Sequence, residues 1–260
     1  MAKTAAKLVG PLTLTGQAWQ SMWRGKGRLW AIVSVVAIPV TIISLLTADS
    51  DPTLSAYSAF ATVFMNIAVL WAVMRLAEGD NKVTLARAYY SGTAIIARFL
   101  LVAGLLVLMA LPFLIGGAIY YYGIAGTPPA SLAVDFLLGL VWLLLAWPSG
   151  YWLSRTIFAL LEFDGKPELK PTEAVRLSWS AVRGKGTKVF GRLIWLLMVL
   201  LLSVTVPAFA VLSTLSGALA SDTLVIIQLA ATFIIVPLSY FYLLFLYREL
   251  KAKPSGTKGA

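Results

Sequence analysis

The chain has 260 residues, of which 60% are hydrophobic and 12% charged, and a formal net charge of +10. Soluble domains carry roughly 45–50% apolar and about 25% charged residues, so charge this sparse cannot cover a water-facing surface, and lipid is the expected solvent for most of the chain. The absence of cysteine and histidine excludes a disulfide framework, a thiolate metal site and the commonest general base.

Taken in chain order, the N-terminal segment does not read as a secretory signal. Its first apolar run begins near Leu29 and is as long as a spanning helix needs, and the Leu46-Thr47-Ala48 end lacks a small-x-small cleavage pattern. Six runs reach the about 20 residues required to span a bilayer: 29–48, 54–74, 99–121, 132–153, 189–212 and 224–247. They hold one cation, Arg192, at the start of the fifth, and Asp135 one turn inside the fourth. Asn66 in the second and Gln228 in the sixth are the other strongly polar side chains. The expectation is an all-α polytopic protein with a single membrane domain over 1–250 and a disordered polar tail over 251–260.

A similar segment precedes each odd-numbered span: LTLTGQAWQSMWRGKGRLW, VTLARAYYSGTAIIARFLL and KPTEAVRLSWSAVRGKGTKVF. Each reads as a Thr start, a short helix with an aromatic face, a break, a basic residue and then the span. Pro39, Pro112 and Pro207 fall late in the three spans. The expected unit is therefore a short amphipathic cytoplasmic helix followed by a membrane hairpin, three times over. In the third copy Thr172 is expected as N-cap with Glu173 at the positive end of the dipole. Val175, Trp179 and Val182 would form the apolar face, and Arg176, Ser180 and Arg183 the polar one. The glycines of Arg24-Gly25-Lys26-Gly27 and Arg183-Gly184-Lys185-Gly186 are expected to act as hinges into the span. Neither tetrapeptide is a nucleotide-type phosphate loop, which needs a second glycine five residues earlier and a preceding strand. Gln20 and Trp179 stand at those positions.

Basic residues mark the cytoplasmic side of a membrane protein. With six spans, all 21 fall on one side. The N-terminal segment has Lys3, Lys7, Arg24, Lys26 and Arg28, and the second connection has Arg75, Lys82, Arg87 and Arg98. The fourth connection has Arg155, Lys166, Lys170, Arg176, Arg183, Lys185, Lys188 and Arg192, and the tail has Arg248, Lys251, Lys253 and Lys258. The opposite side keeps Asp49, Asp51, Asp135 and Asp222. Both termini are therefore expected in the cytoplasm, and the positive charge is a topology signal rather than a nucleic-acid footprint.

Arg24, Lys26, Arg98, Arg155, Arg183 and Lys185 are the candidate lipid-headgroup residues, since basic pockets at the cytoplasmic ends of spans bind such groups. The commoner role of such residues is to set topology with snorkelling side chains. Glu162, Asp164, Glu168 and Glu173 match no metal-loop spacing and read as a solvated loop. Asn66 and Gln228 read as interhelical contacts or as the lining of a solute path. Trp147-Pro148-Ser149-Gly150 reads as a packing bend or a gate. No span carries a charge near its centre, where pumps and coupled carriers place one, and no catalytic, cofactor or metal set is present.

The stretch from Arg155 to Phe190 resembles a group of six-span bacterial inner-membrane proteins. The group includes the YciC type and the membrane domain of glycerophosphodiester phosphodiesterases. The similarity rests on Arg155, Glu173-Ala174, Ser178-Trp179 and Arg183-Gly184, with Arg98-Phe99 as a further likeness. It implies an integral protein of the bacterial cytoplasmic membrane. The phosphodiesterase activity is not implied, because only a short tail follows the sixth span and no histidine is present for that chemistry. The expected function is that of a non-enzymatic scaffold or envelope- and lipid-related protein whose partners are anionic membrane lipids. A passive transporter or channel for a small uncharged solute is the alternative.

Overall fold

The computed structural model describes residues 8–46, 52–80, 82–93, 96–125, 132–163, 168–214 and 218–252. Lys3, Lys7, Asp49, Asp51, Asp164, Lys166, Lys253 and Lys258 lie outside them, as does the expected tail apart from Lys251 and Ala252. Among the described residues the chain is almost wholly helical, without strands. The helices are α1 (Pro11–Leu46), α2 (Pro52–Ala77), α3 (Leu85–Thr93), α4 (Ile96–Ala125), α5 (Leu132–Thr156), α6 (Pro171–Val182), α7 (Gly186–Thr214) and α8 (Ala218–Lys251). A 3₁₀ segment, Ile157–Phe163, continues directly from α5.

Among the described residues six helices are long and apolar enough to cross a membrane: α1, α2, α4, α5, α7 and α8. Their exposed faces carry large apolar side chains, such as Leu108, Leu143, Trp147, Val206 and Phe209. Exposed apolar side chains along helices of this length fit a protein that faces a membrane.

Contacts divide the chain into two compact units. The first combines residues 1–96 with 194–260, and the second comprises residues 97–193. In the first unit, α1, α2, α3 and α8 enclose a core in which every residue from Ile67 to Met74 of α2 is buried. Leu238, Phe241, Tyr242 and Leu246 of α8 close it from one side. The Asn66 amide donates to the Thr62 carbonyl at 2.8 Å and accepts from the Tyr240 hydroxyl at 3.1 Å. It is therefore engaged in joining α2 to α8. Arg248 Nη1 donates to the Ala77 carbonyl at 3.1 Å, capping the end of α2. The Tyr89 hydroxyl of α3 donates to the Ile32 carbonyl of α1 at 2.8 Å, and burial pushes this phenol up to about 12.

The first expected hinge is absent. The 36-residue α1 runs unbroken through Gly25 and Gly27. Its buried stripe is Leu14, Ala18, Met22, Gly25, Leu29 and Ile32, spaced by three or four residues on one helix face. A β-carbon on Gly25 would lie 2.9 Å from Leu76 Cδ1. This glycine serves close approach to α2 and does not bend the chain. At about 1.5 Å per residue α1 is roughly 54 Å long, well beyond the about 30 Å of bilayer hydrocarbon.

The second unit is built on α4 and α5. Phe113 follows Pro112, and its N–H donates to Ser149 Oγ at 3.2 Å. Gly116 and Gly117 of α4 leave room for Trp142, which stacks on Tyr120 at 5.5 Å. Gly150 seats the Phe190 ring of α7, and a β-carbon there would come within 2.5 Å of it. The Trp147–Gly150 stretch thus works as a packing device: its serine holds α4 and its glycine holds α7, while α5 continues through Pro148.

Candidate functional site

The third repeat copy differs from expectation in register. Lys170, not Thr172, is the N-cap residue of α6, and Pro171 opens the helix. Proline suits that position because its missing N–H would have no intrahelical partner. Glu173 lies in the first turn as expected. The fully buried face is Ala174, Ser178 and Val182, whereas Val175 and Trp179 are half-buried. The face is turned this way because α6 packs on the 3₁₀ segment and on α5. Ser178 Oγ donates to the Arg155 carbonyl, and Trp179 Nε1 donates to Thr156 Oγ1 at 2.9 Å. Ser178 therefore satisfies a carbonyl at the end of α5, where carbonyls lack intrahelical donors, and Trp179 ties α6 to the Thr156 side chain.

The chain then turns at residues 183–185. Gly184 has φ +79°, the left-handed conformation that favours glycine. Lys185 N–H donates to the Val182 carbonyl at 2.9 Å, and α7 begins at Gly186. Here the expected hinge is present.

This turn borders a cavity of about 310 Å³ lined by Trp147, Tyr151, Ser154, Arg155, Thr187 and Phe190, together with Gly184 and Gly186. Arg155 Cζ lies 4.1 Å from the Tyr151 ring centroid and 5.6 Å from that of Trp179. A guanidinium held over aromatic faces keeps its N–H groups free in its own plane. Arg155 Nε is buried without a hydrogen-bond partner.

The first unit has a second cationic cavity, of about 670 Å³. Ser21, Arg24, Gly25, Gly27 and Arg28 of α1 line it, with Leu76 and Ala77 of α2, Gly79, and Phe241 and Phe245 of α8. Lys26 is not in its lining and instead lies over the Trp23 ring at 4.4 Å.

The six predicted cations divide between the two units, Arg24 and Lys26 in the first and Arg98, Arg155, Arg183 and Lys185 in the second. Arg155 lines the second unit's cavity, and Arg183 and Lys185 flank the Gly184 that borders it. Arg24 lines the first unit's cavity, while Arg98 lines neither. None of the six has a carboxylate partner among the described residues. Three of the acids are engaged elsewhere: Glu78 pairs with Arg75 at 2.9 Å, Asp80 lies 4.0 Å from Arg87, and Glu249 accepts from the Val9 N–H at 3.3 Å.

Arg28, Tyr151 and Thr187 were missed as cavity residues. Arg28 and Tyr151 each stand four residues from a predicted arginine, which on a helix means the same face. Thr187 carried no such signal. Gln228 is exposed and lines an open groove of about 350 Å³ with apolar neighbours such as Val204 and Ala208. No His/Cys/Asp/Glu group able to hold a metal occurs among the described residues. Comparison with family models, curated proteins and solved structures finds no match to this chain.

Proposed function

We propose that the chain is a non-enzymatic, multi-pass protein of the bacterial inner membrane, with both termini cytoplasmic, that contacts anionic lipid through basic helix ends. The carrying observation is that all six candidate cations lack a carboxylate partner among the described residues, while Glu78, Asp80 and Glu249 are engaged elsewhere. A cation without an internal counter-charge finds one in the headgroups of an anionic leaflet, worth about 1 kcal/mol per Lys or Arg near the surface. The six apolar helices and the segregation of every basic residue to one side support this reading. So does the resemblance to the YciC-type group. Asn66, whose amide is engaged between α2 and α8, adds nothing to the rival solute-path reading.

The test is lipid retention after purification from a mixed membrane. Phosphatidylglycerol should be enriched over phosphatidylcholine, and exchanging Arg24, Lys26, Arg183 and Lys185 together for Gln should reduce that enrichment. Equal retention of both lipids by the native chain would sink the proposal. Topology can be read directly because the chain has no cysteine. Lys166→Cys should be protected from an impermeant maleimide in intact cells and Asp222→Cys labelled, and the reverse pattern would overturn the orientation.

A further inference from the structure

We infer that the cavity headed by Arg155 is a built site for the phosphate of an anionic phospholipid, with the acyl chain leaving along Trp147 and Phe190. The inference rests on the lipid-contact reading above and assigns that contact to one place. It begins with an electrostatic conflict. The guanidinium of Arg155 lies against the first residue of α7: a β-carbon placed on Gly186 would be 3.8 Å from Nη2 and 4.0 Å from Nε. The start of a 29-residue helix is the positive end of its dipole. Lys185 and Lys188 flank the same residue. Positive charge is thus gathered on a positive helix end.

The usual escapes are closed. Among the described residues Arg155 has no carboxylate partner, and its Nε is buried and unpartnered. An arginine at the end of its own helix commonly caps the terminal carbonyls, but Ser178 already donates to the Arg155 carbonyl. Tyr151 and Trp179 cover the guanidinium face and leave its edge for in-plane hydrogen bonding. The first backbone bond into α7 runs from Val189 N–H to the Lys185 carbonyl at 3.0 Å. The N–H groups of Gly186, Thr187 and Lys188 precede it and lack intrahelical acceptors. A phosphate between the guanidinium edge and these amides satisfies both at once, through charge-assisted bonds on one side and the helix dipole on the other.

The walls decide between a free phosphate and a lipid. Trp147 is 71% exposed on the spanning helix α5, and its ring meets Phe190 edge-on at 6.2 Å. A polar head and an apolar, membrane-facing wall in one cavity match an amphiphile rather than a small soluble anion.

The experiment uses the full chain in detergent, with native mass spectrometry and thermal unfolding. Native protein should retain phosphatidylglycerol, and Arg155→Gln should reduce that retention about tenfold, the loss expected for a bidentate charge-assisted contact. Arg155→Lys should recover little of it, because an ammonium lacks the in-plane fork. Since an arginine variant can misfold, Gly186→Asp supplies an independent arm. It plants a carboxylate beside the guanidinium at a helix N-terminus, and should raise the melting temperature of lipid-free protein while abolishing lipid retention. Unchanged retention in Gly186→Asp would overturn the site. So would a native lipid preference that survives Arg155→Gln and falls only with Arg24, Lys26, Arg183 and Lys185; that outcome leaves the general lipid reading standing. No preference for phosphatidylglycerol in the native chain would end both. Inorganic phosphate should shift the melting temperature less than a short-chain phosphatidylglycerol does, and an equal shift would identify a free phosphate and refute the lipid.

Discussion

Arg-Gly-Lys-Gly occurs at 24–27 and at 183–186, and the two copies adopt opposite backbones. The first is interior to a 36-residue helix, with Gly25 packed against Leu76. The second separates α6 from α7, with Gly184 at φ +79°. Identical residues therefore do not decide whether the chain bends. The flanking apolar register does. Before Gly25 the buried stripe runs in phase through Leu14, Ala18 and Met22 and continues into Leu29. Before Gly184 the buried face of α6 belongs to Ala174, Ser178 and Val182, which pack at the end of α5. The chain has to leave that face in order to begin α7.

The largest effect separating the two copies should come from proline. Gly27→Pro removes a backbone bond inside α1 and should cost about 3 kcal/mol or more. Gly186→Pro, at the first position of α7, should be close to neutral. Denaturant unfolding in mixed micelles measures both, and equal costs would mean that α1 contains a true break. A smaller and opposite pair comes from alanine. Gly184→Ala should lose about 1 kcal/mol to the left-handed backbone. Gly27→Ala should gain roughly 0.5–1 kcal/mol, because its β-carbon meets nothing within 4 Å and the helix entropy cost is relieved. The smallest effect concerns the tether of the first copy. The Tyr89 phenol is raised from 10.0 to about 12, so its contribution to stability is complete below pH 10 and fades as the pH climbs toward 12. Tyr89→Phe should flatten the stability profile over that window. A profile unchanged from native would show that the hydroxyl bonded to Ile32 does not hold α3 on α1.

These contrasts also separate what was legible from what was not. The six long apolar runs were readable because hydrocarbon rejects polar side chains; α2, α4, α5, α7 and α8 follow them closely, while α1 begins 18 residues before its run. The short helix before the fifth span was readable from Pro171 and Glu173. Val182 is buried as expected, but Val175 and Trp179 each stand one position from the buried Ala174 and Ser178, because Trp179 looked like an apolar anchor while its indole N–H bonds Thr156. The continuity of α1 was present in the spacing of Leu14, Ala18, Met22 and Leu29 but was outweighed by two glycines that looked like a break. Of the candidate cations, residue type and position could nominate all six. They could not tell Lys26, resting on Trp23, from Arg155, whose buried Nε has no partner.

Composition and period alone determined the number of the long helices and the apolar character of their spanning stretches. Those properties are additive along the chain, since each residue's transfer into hydrocarbon hardly depends on distant neighbours. Only the tertiary structure decided which glycine bends and which one packs, that Ser149 and Gly150 bind α5 to its neighbours, and that Arg155 faces the start of α7. Each of these depends on a pair of surfaces meeting, and a contact between residues far apart in sequence leaves no periodic trace in either segment by itself.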